Sequence, residues 1–169
     1  MILYHGSTME VSQPHILKSE IGRDFGFAFY TTDIQAQAER WARRRTMIES
    51  RRTKKEILPI VSVYEWDEDA AKQLRFLQFD GASMDWLELV VTCRSRIDYS
   101  HGYDIVEGKI ANDNVGETVS YVMQGIMRKE DAIERLRFEK INNQIVFCTE
   151  TALRTLYFQN SYICGSVNP

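Results

Sequence analysis

The sequence is poor in residues that break or staple a chain. With three prolines and nine glycines in 169 residues, and no Pro/Gly-rich stretch, repeat or low-complexity tract, nothing marks a linker. One domain spanning 1–169, large enough for a real core, is the expectation. Cysteine is equally scarce: Cys93, Cys148 and Cys164 are widely spaced and odd in number, so neither a disulfide framework nor a metal motif is indicated. Cys93 and Cys148 lie in apolar runs and read as small buried side chains. No apolar run approaches the roughly 20 residues that a membrane span needs. The start has no basic n-region, and Pro14 and polar residues interrupt the stretch after β-prone residues 2–5, so a cytoplasmic location without a membrane partner is expected. A Gly-x-Gly-x-x-Gly fingerprint is also missing, which argues against a Rossmann dinucleotide site.

What is present is the composition of a folded water-soluble chain, 44% hydrophobic and 27% charged, with its charge unevenly spread. The net charge of -3 hides a basic segment: Arg40, Arg43, Arg44, Arg45, Arg51, Arg52, Lys54 and Lys55 stand against Glu49 alone. Such a run is either a solvated helix face running into a charged loop or a surface that meets phosphates or an acidic partner.

Periodicity predicts strands at 2–5 and 26–31, the second rich in aromatic residues that favour a pleated surface. Thr32 and Gln35 have capping-box spacing and open a predicted helix through about 48. On it Ile34, Ala38, Trp41 and Ala42 form an apolar stripe, so Trp41 reads as a core anchor. A third strand is expected at 57–65, with Pro59 implying an edge position or a start after the proline. Acidic residues favour a short helix at 67–74. Ser83 reads as the N-cap of a longer helix with Trp86, Leu87, Val90 and Val91 buried. A strand at 103–110, two short helices over about 115–140 with Gly125 near their junction, a strand at 144–149 and a closing helix or turn at 151–158 complete the pattern. Strands with segregated helices predict an α+β fold.

Two motifs carry chemistry. Leu3-Tyr4-His5-Gly6-Ser7 sets a histidine, a glycine and a hydroxyl at the mouth of a short strand. Asp24-Phe25-Gly26-Phe27-Ala28-Phe29-Tyr30-Thr31-Thr32 carries a tyrosine out of an aromatic run. A histidine to bond a ribose hydroxyl, a glycine that lets backbone approach a flat amide, and an aromatic ring to stack on it suit nicotinamide riboside. Strand alternation sets Tyr30 on the face opposite Phe27 and Phe29, so it can look into a cleft.

On these residues, in this order, the chain resembles the ADP-ribosyltransferase superfamily, in the branch of diphtheria-type toxins and poly-ADP-ribose polymerases. It is similar to a bacterial group with a YHGS … DFGxGFYTT … YDIVxGxxAND … QIxF pattern, over about residues 3–158. Ala28 stands where that pattern has its second glycine.

The resemblance implies a split antiparallel β-core with NAD in its cleft and an activity that transfers ADP-ribose from NAD to a protein or nucleic acid. It also implies the setting of a toxin with a cognate antitoxin, or of a defence system. By the same resemblance His5 bonds ribose, Gly6 holds the carboxamide, Ser7 adds a hydroxyl, and Tyr30 stacks on nicotinamide. Gly26 turns the chain ahead of that ring, and Arg23 reads either as a group that neutralises a pyrophosphate or, more commonly for such a position, as an exposed loop arginine. A glutamate normally opens the late strand and stabilises the oxocarbenium-like state. This chain reads Asn142-Asn143-Gln144-Ile145-Val146-Phe147, which makes Gln144, or Asn143, its counterpart. Glu107 is an alternative source of the carboxylate, with a solvent-facing strand residue as its plainer reading. Asp104 and Asp113 read as turn caps. A non-catalytic NAD- or ADP-ribose-binding module and an NAD hydrolase remain open beside the transferase.

Overall fold

In the computed structural model, residues 1–18, 23–96, 98–111, 114–137 and 141–165 are described. Asp113 and the end of the second short helix, 138–140, fall outside them. The first strand, β1 (Ile2–Ser7), is followed by β2 (Phe29–Thr31), α1 (Gln35–Thr53), β3 (Ile60–Trp66) and α2 (Glu68–Ala71). Then come β4 (Phe76–Phe79), α3 (Met84–Ser95), β5 (Ile105–Ala111), α4 (Asn114–Met123), α5 (Lys129–Leu136), β6 (Ile141–Phe147), α6 (Glu150–Leu153) and β7 (Leu156–Ile163). The α+β class is as expected.

The strands form two sheets, one ordered β1-β3-β7 and the other β2-β6-β5-β4. Every pairing is antiparallel except β4 with β5. Where the sheets meet, Tyr4 and Thr32 exchange backbone hydrogen bonds of 2.8 and 3.0 Å. That bridge places the histidine strand beside the tyrosine strand.

The local chemistry of the chain explains most boundaries. Ser83 caps α3 by accepting from the Trp86 N–H at 3.1 Å, and Asp67 caps α2 by accepting from that of Ala70 at 2.9 Å, as their residue types favour. Gly125, at φ +72°, turns the chain between α4 and α5. Pro59 precedes β3, which is the central strand of its sheet and not an edge; the proline without an N–H sits just outside the ladder.

Four expectations are corrected. The second strand begins only at Phe29, because Gly26 at φ +74° holds residues 26–28 in a loop. Thr32 accepts from the Ile34 N–H at 3.1 Å, so it closes a tight turn and no capping box forms at α1. Phe76–Phe79, predicted as no element, is β4. The closing segment is α6 followed by the long strand β7.

Three apolar clusters hold these layers. Leu3, Phe29, Tyr64, Trp66, Ile105, Ile145 and Phe147 join the two sheets. Phe25, Trp86, Leu87, Val90, Val106, Val119 and Val146 pack the second sheet against α3, α4 and α5. Each fully buried large side chain contributes about 1.5–3 kcal/mol. α1 lies on the first sheet through Ala38, Ala42 and Val61, so close that a Cβ on Gly6 would fall 2.1 Å from the Ala38 carbonyl oxygen.

Candidate functional site

The seam between the sheets opens into a pocket lined by His5, Gly6, Ser7, Leu17, Arg23, Gly26, Ala28, Phe29, Tyr30, Trp41 and Arg45. All six residues expected to hold a cofactor, His5, Gly6, Ser7, Arg23, Gly26 and Tyr30, are among them. The space enclosed is about 60 Å³, well under the roughly 150 Å³ that admits a benzene-sized ring.

His5 is fixed from two sides. Its Nδ1 donates to the Tyr30 carbonyl at 2.7 Å, and its ring stacks on Phe29 with centroids 4.4 Å apart. That bond assigns the tautomer, leaving Nε2 as the acceptor. Burial, reinforced by the nearby charges of Arg23 and Arg45, lowers its pKa to about 4. The imidazole is therefore neutral at physiological pH.

Tyr30 is held just as firmly. Its hydroxyl donates to the Gly26 carbonyl at 2.8 Å and accepts from the Phe25 N–H at 3.1 Å, which ties the tyrosine to the loop that precedes it. Burial raises its pKa well above the usual phenol range. The hydroxyl stays protonated at neutral pH, its proton donated to the Gly26 carbonyl, and Tyr30 lines the pocket. The guanidinium of Arg23 lies 5.1 Å from the centroid of the Tyr30 ring.

Trp41 is the residue that sequence reasoning missed. It is 41% exposed and lines the pocket, with the Arg23 guanidinium 5.7 Å and that of Arg44 6.0 Å from its ring. It is no core anchor. Because Gly6 brings α1 down onto β1, only Ala38 and Ala42 fit beneath the helix, and the indole is pushed to the rim.

The late strand divides its two candidates between faces. Tyr30 pairs with Val146 and Gly108 with Gln144, so Gln144 stands on the sheet face that carries Tyr30. Its Oε1 is buried and has no hydrogen-bond partner. Asn143, 4% exposed, faces the other way. Its Nδ2 donates to Asp33 and Glu107, both at 3.1 Å. Its backbone is clamped by the Gln37 amide, which accepts from the N–H at 3.1 Å and donates to the carbonyl at 2.9 Å. Glu107 also accepts from Gln78 at 3.2 Å. Neither Gln144, Asn143 nor Glu107 lines the pocket. Asn143 and Glu107 are built into a hydrogen-bonded joint, and the side-chain oxygens of Asn143 and Gln144 are both buried without a partner.

The other chemical candidates resolve as structure. Asp104 accepts from the Arg75 backbone at 3.0 Å, from Arg75 Nε at 3.1 Å and from the Thr149 hydroxyl at 3.0 Å, a long-range tie between segments in place of the local turn cap expected. Burial pushes the Cys93 thiol up to about 11 and that of Cys148 to about 12, so neither is a ready nucleophile. On α1, Arg43 pairs with Glu39, Arg52 with Glu49, and Arg40 donates to Asn142 at 3.1 Å. Among the described residues, no group of three or more His, Cys, Asp or Glu side chains is placed to hold a metal ion, and no helix is long and apolar enough to cross a membrane.

Fold and pocket together define a mixed α+β protein with a polar and aromatic pocket at the seam of two sheets. The chain belongs to the family described as protein of unknown function (DUF3990), whose model matches residues 1–158. No curated protein and no solved structure matches it.

Proposed function

We propose that the chain is an NAD-dependent mono-ADP-ribosyltransferase with an ADP-ribosyltransferase-like core, acting on a macromolecular acceptor. The observation that supports this reading best is the convergence of His5, Gly6, Ser7, Arg23, Gly26 and Tyr30, drawn from two separate sequence motifs, on one pocket. The setting of a bacterial toxin with an antitoxin, or of a defence system, rests on the sequence resemblance.

In this reading neutral His5 accepts a ribose hydroxyl at Nε2, and the Tyr30 and Trp41 rings flank the nicotinamide. Its glycosidic C–N bond breaks with the electron pair leaving on nicotinamide. The acceptor then bonds to the ribose carbon and releases its proton. This reading assigns the Gln144 carbonyl, on the sheet face that carries Tyr30 but outside the pocket lining, to bond the ribose hydroxyl beside the developing cation. It carries no charge, so it stabilises that cation less than a carboxylate does, a difference commonly of a few kcal/mol.

This weaker group is also what keeps a second reading, a non-catalytic NAD-binding module, alive. The purified chain incubated with NAD distinguishes them by nicotinamide release. The transferase reading expects release, loss of at least about 100-fold in Gln144→Ala with NAD binding retained, and label on an acceptor. Binding without release would leave only the module, and release without a labelled acceptor would make the protein a hydrolase.

A further inference from the structure

Most edges of the two sheets are short or occupied. β2 has three residues and β4 four, and the outer side of β1 meets Thr32 through the Tyr4 bridge. β7 differs. It ends its sheet and runs for eight residues, Leu-Tyr-Phe-Gln-Asn-Ser-Tyr-Ile, without a charge or a proline, the residues that ordinarily blunt an edge. Among the described residues no other backbone pairs with its outer side. At its two ends the Thr155 carbonyl accepts from Asp67 and the Cys164 N–H donates to Pro59, both towards β3. By alternation Leu156, Phe158, Ser161 and Ile163 turn their N–H and C=O groups outward. Tyr157 and Ile163 stand 53% and 56% exposed along this row.

A bulge selects the partner. Gln159 has no counterpart in β3, and this extra residue shifts the face pattern of β7 by one. Tyr157 lies across from Glu65 and Tyr162 across from Val61, both on the α1 side, whereas Leu156, Phe158, Ser161 and Ile163 share the other face. A straight strand laid along β7 therefore matches one half and presents the wrong face to the other. A second copy laid antiparallel brings its own bulge to the same place. Leu156 then opposes Ile163, Tyr157 opposes Tyr162, Phe158 opposes Ser161, and Gln159 opposes Asn160, with the side chains of each flanking pair on one face.

We propose that β7 is a self-association edge, which pairs antiparallel with β7 of a second copy of this chain. The interface is isologous, so the Tyr157–Tyr162 aromatic pair forms twice, and no like charges meet along the strands. The two three-stranded sheets become continuous. β1, which carries His5, Gly6 and Ser7 of the pocket, stays at the far side of each. The association therefore leaves both pockets open and does not depend on what they bind.

Sedimentation velocity of the full chain over about 5–500 µM, with amide exchange followed at both ends of that range, tests the proposal in wild type, Tyr157→Lys and Ser161→Pro. Circular dichroism confirms that each variant is folded, and Tyr157→Lys alters only an exposed side chain. Wild type is expected to pass from one chain to two as concentration rises, with exchange slowing at the N–H groups of Leu156, Phe158, Ser161 and Ile163. Tyr157→Lys removes the aromatic pair twice and should raise the dissociation constant about tenfold or more. Ser161→Pro deletes one outward N–H from each copy and should raise it by at least as much. A wild-type chain that stays monomeric throughout overturns the proposal and leaves the edge to a strand of another protein. A dimer indifferent to both variants, or one that forms without slower exchange at those amides, overturns it by placing the interface elsewhere.

Discussion

At the scale of single residues, the pocket is a place where ionisation is suppressed. His5 spends its Nδ1 proton on a strand carbonyl and is held neutral by burial, with a pKa near 4 against an ordinary 6.5. The unfolded chain therefore binds the extra proton first. Stability is intact above pH 6.5 and falls as the pH drops towards 4. Because the ring keeps some contact with solvent, the loss between pH 7 and pH 4.5 is up to about 2 kcal/mol from this group. Urea unfolding at those two pH values should show a smaller difference in His5→Asn than in wild type by that amount. Equal differences would mean that the imidazole is solvated well enough to titrate normally. His101, also lowered by burial, titrates identically in both proteins and cancels from the comparison.

At the scale of elements, α1 decides the shape of the pocket, and a single missing Cβ decides where α1 lies. A methyl group on Gly6 would meet the Ala38 carbonyl oxygen at 2.1 Å and the Ala42 nitrogen at 2.8 Å, both backbone atoms that cannot turn aside. Gly6→Ala must push the helix off β1 or strain it. The expected cost is about 2–4 kcal/mol in denaturant unfolding, and a variant of unchanged stability would refute this packing. The sequence reading saw β1, α3 and the α4–α5 pair because their apolar spacing and caps are local. β4 escaped it because four residues from Phe76 to Phe79 show no alternation and gain a partner only through parallel pairing with distant β5. β7 escaped it because the strand finds its partner only by pairing with distant β3, and Thr149, read as the end of a strand, in fact caps α6 by accepting from the Ala152 N–H at 3.2 Å. At the site, the histidine and tyrosine motifs were legible as motifs. Trp41 was not, since helical spacing tells which residues share a face but not how narrow the buried strip is.

At the scale of the molecule, the sheets share one core and are joined by polar contacts at their seam. Trp66 of β3 meets Phe147 of β6 edge-on at 5.7 Å, and the indole N–H donates to Thr155 at 3.0 Å. The Tyr4–Thr32 bridge links β1 to the segment after β2, and the Gln37 side chain pins α1 to Asn143 of β6. Neither sheet keeps its apolar face covered without the other, so the two should unfold in one cooperative transition. Far-ultraviolet circular dichroism and tryptophan fluorescence in urea are expected to give coincident curves. Gln37→Ala removes the partner of a backbone N–H and carbonyl at a nearly buried residue, a loss of roughly 1–3 kcal/mol. Its midpoint should move to lower urea with the curves still coincident. Two separated transitions, in wild type or in this variant, would mean that the sheets are independent units, and a pocket built from both of them would then have no fixed walls.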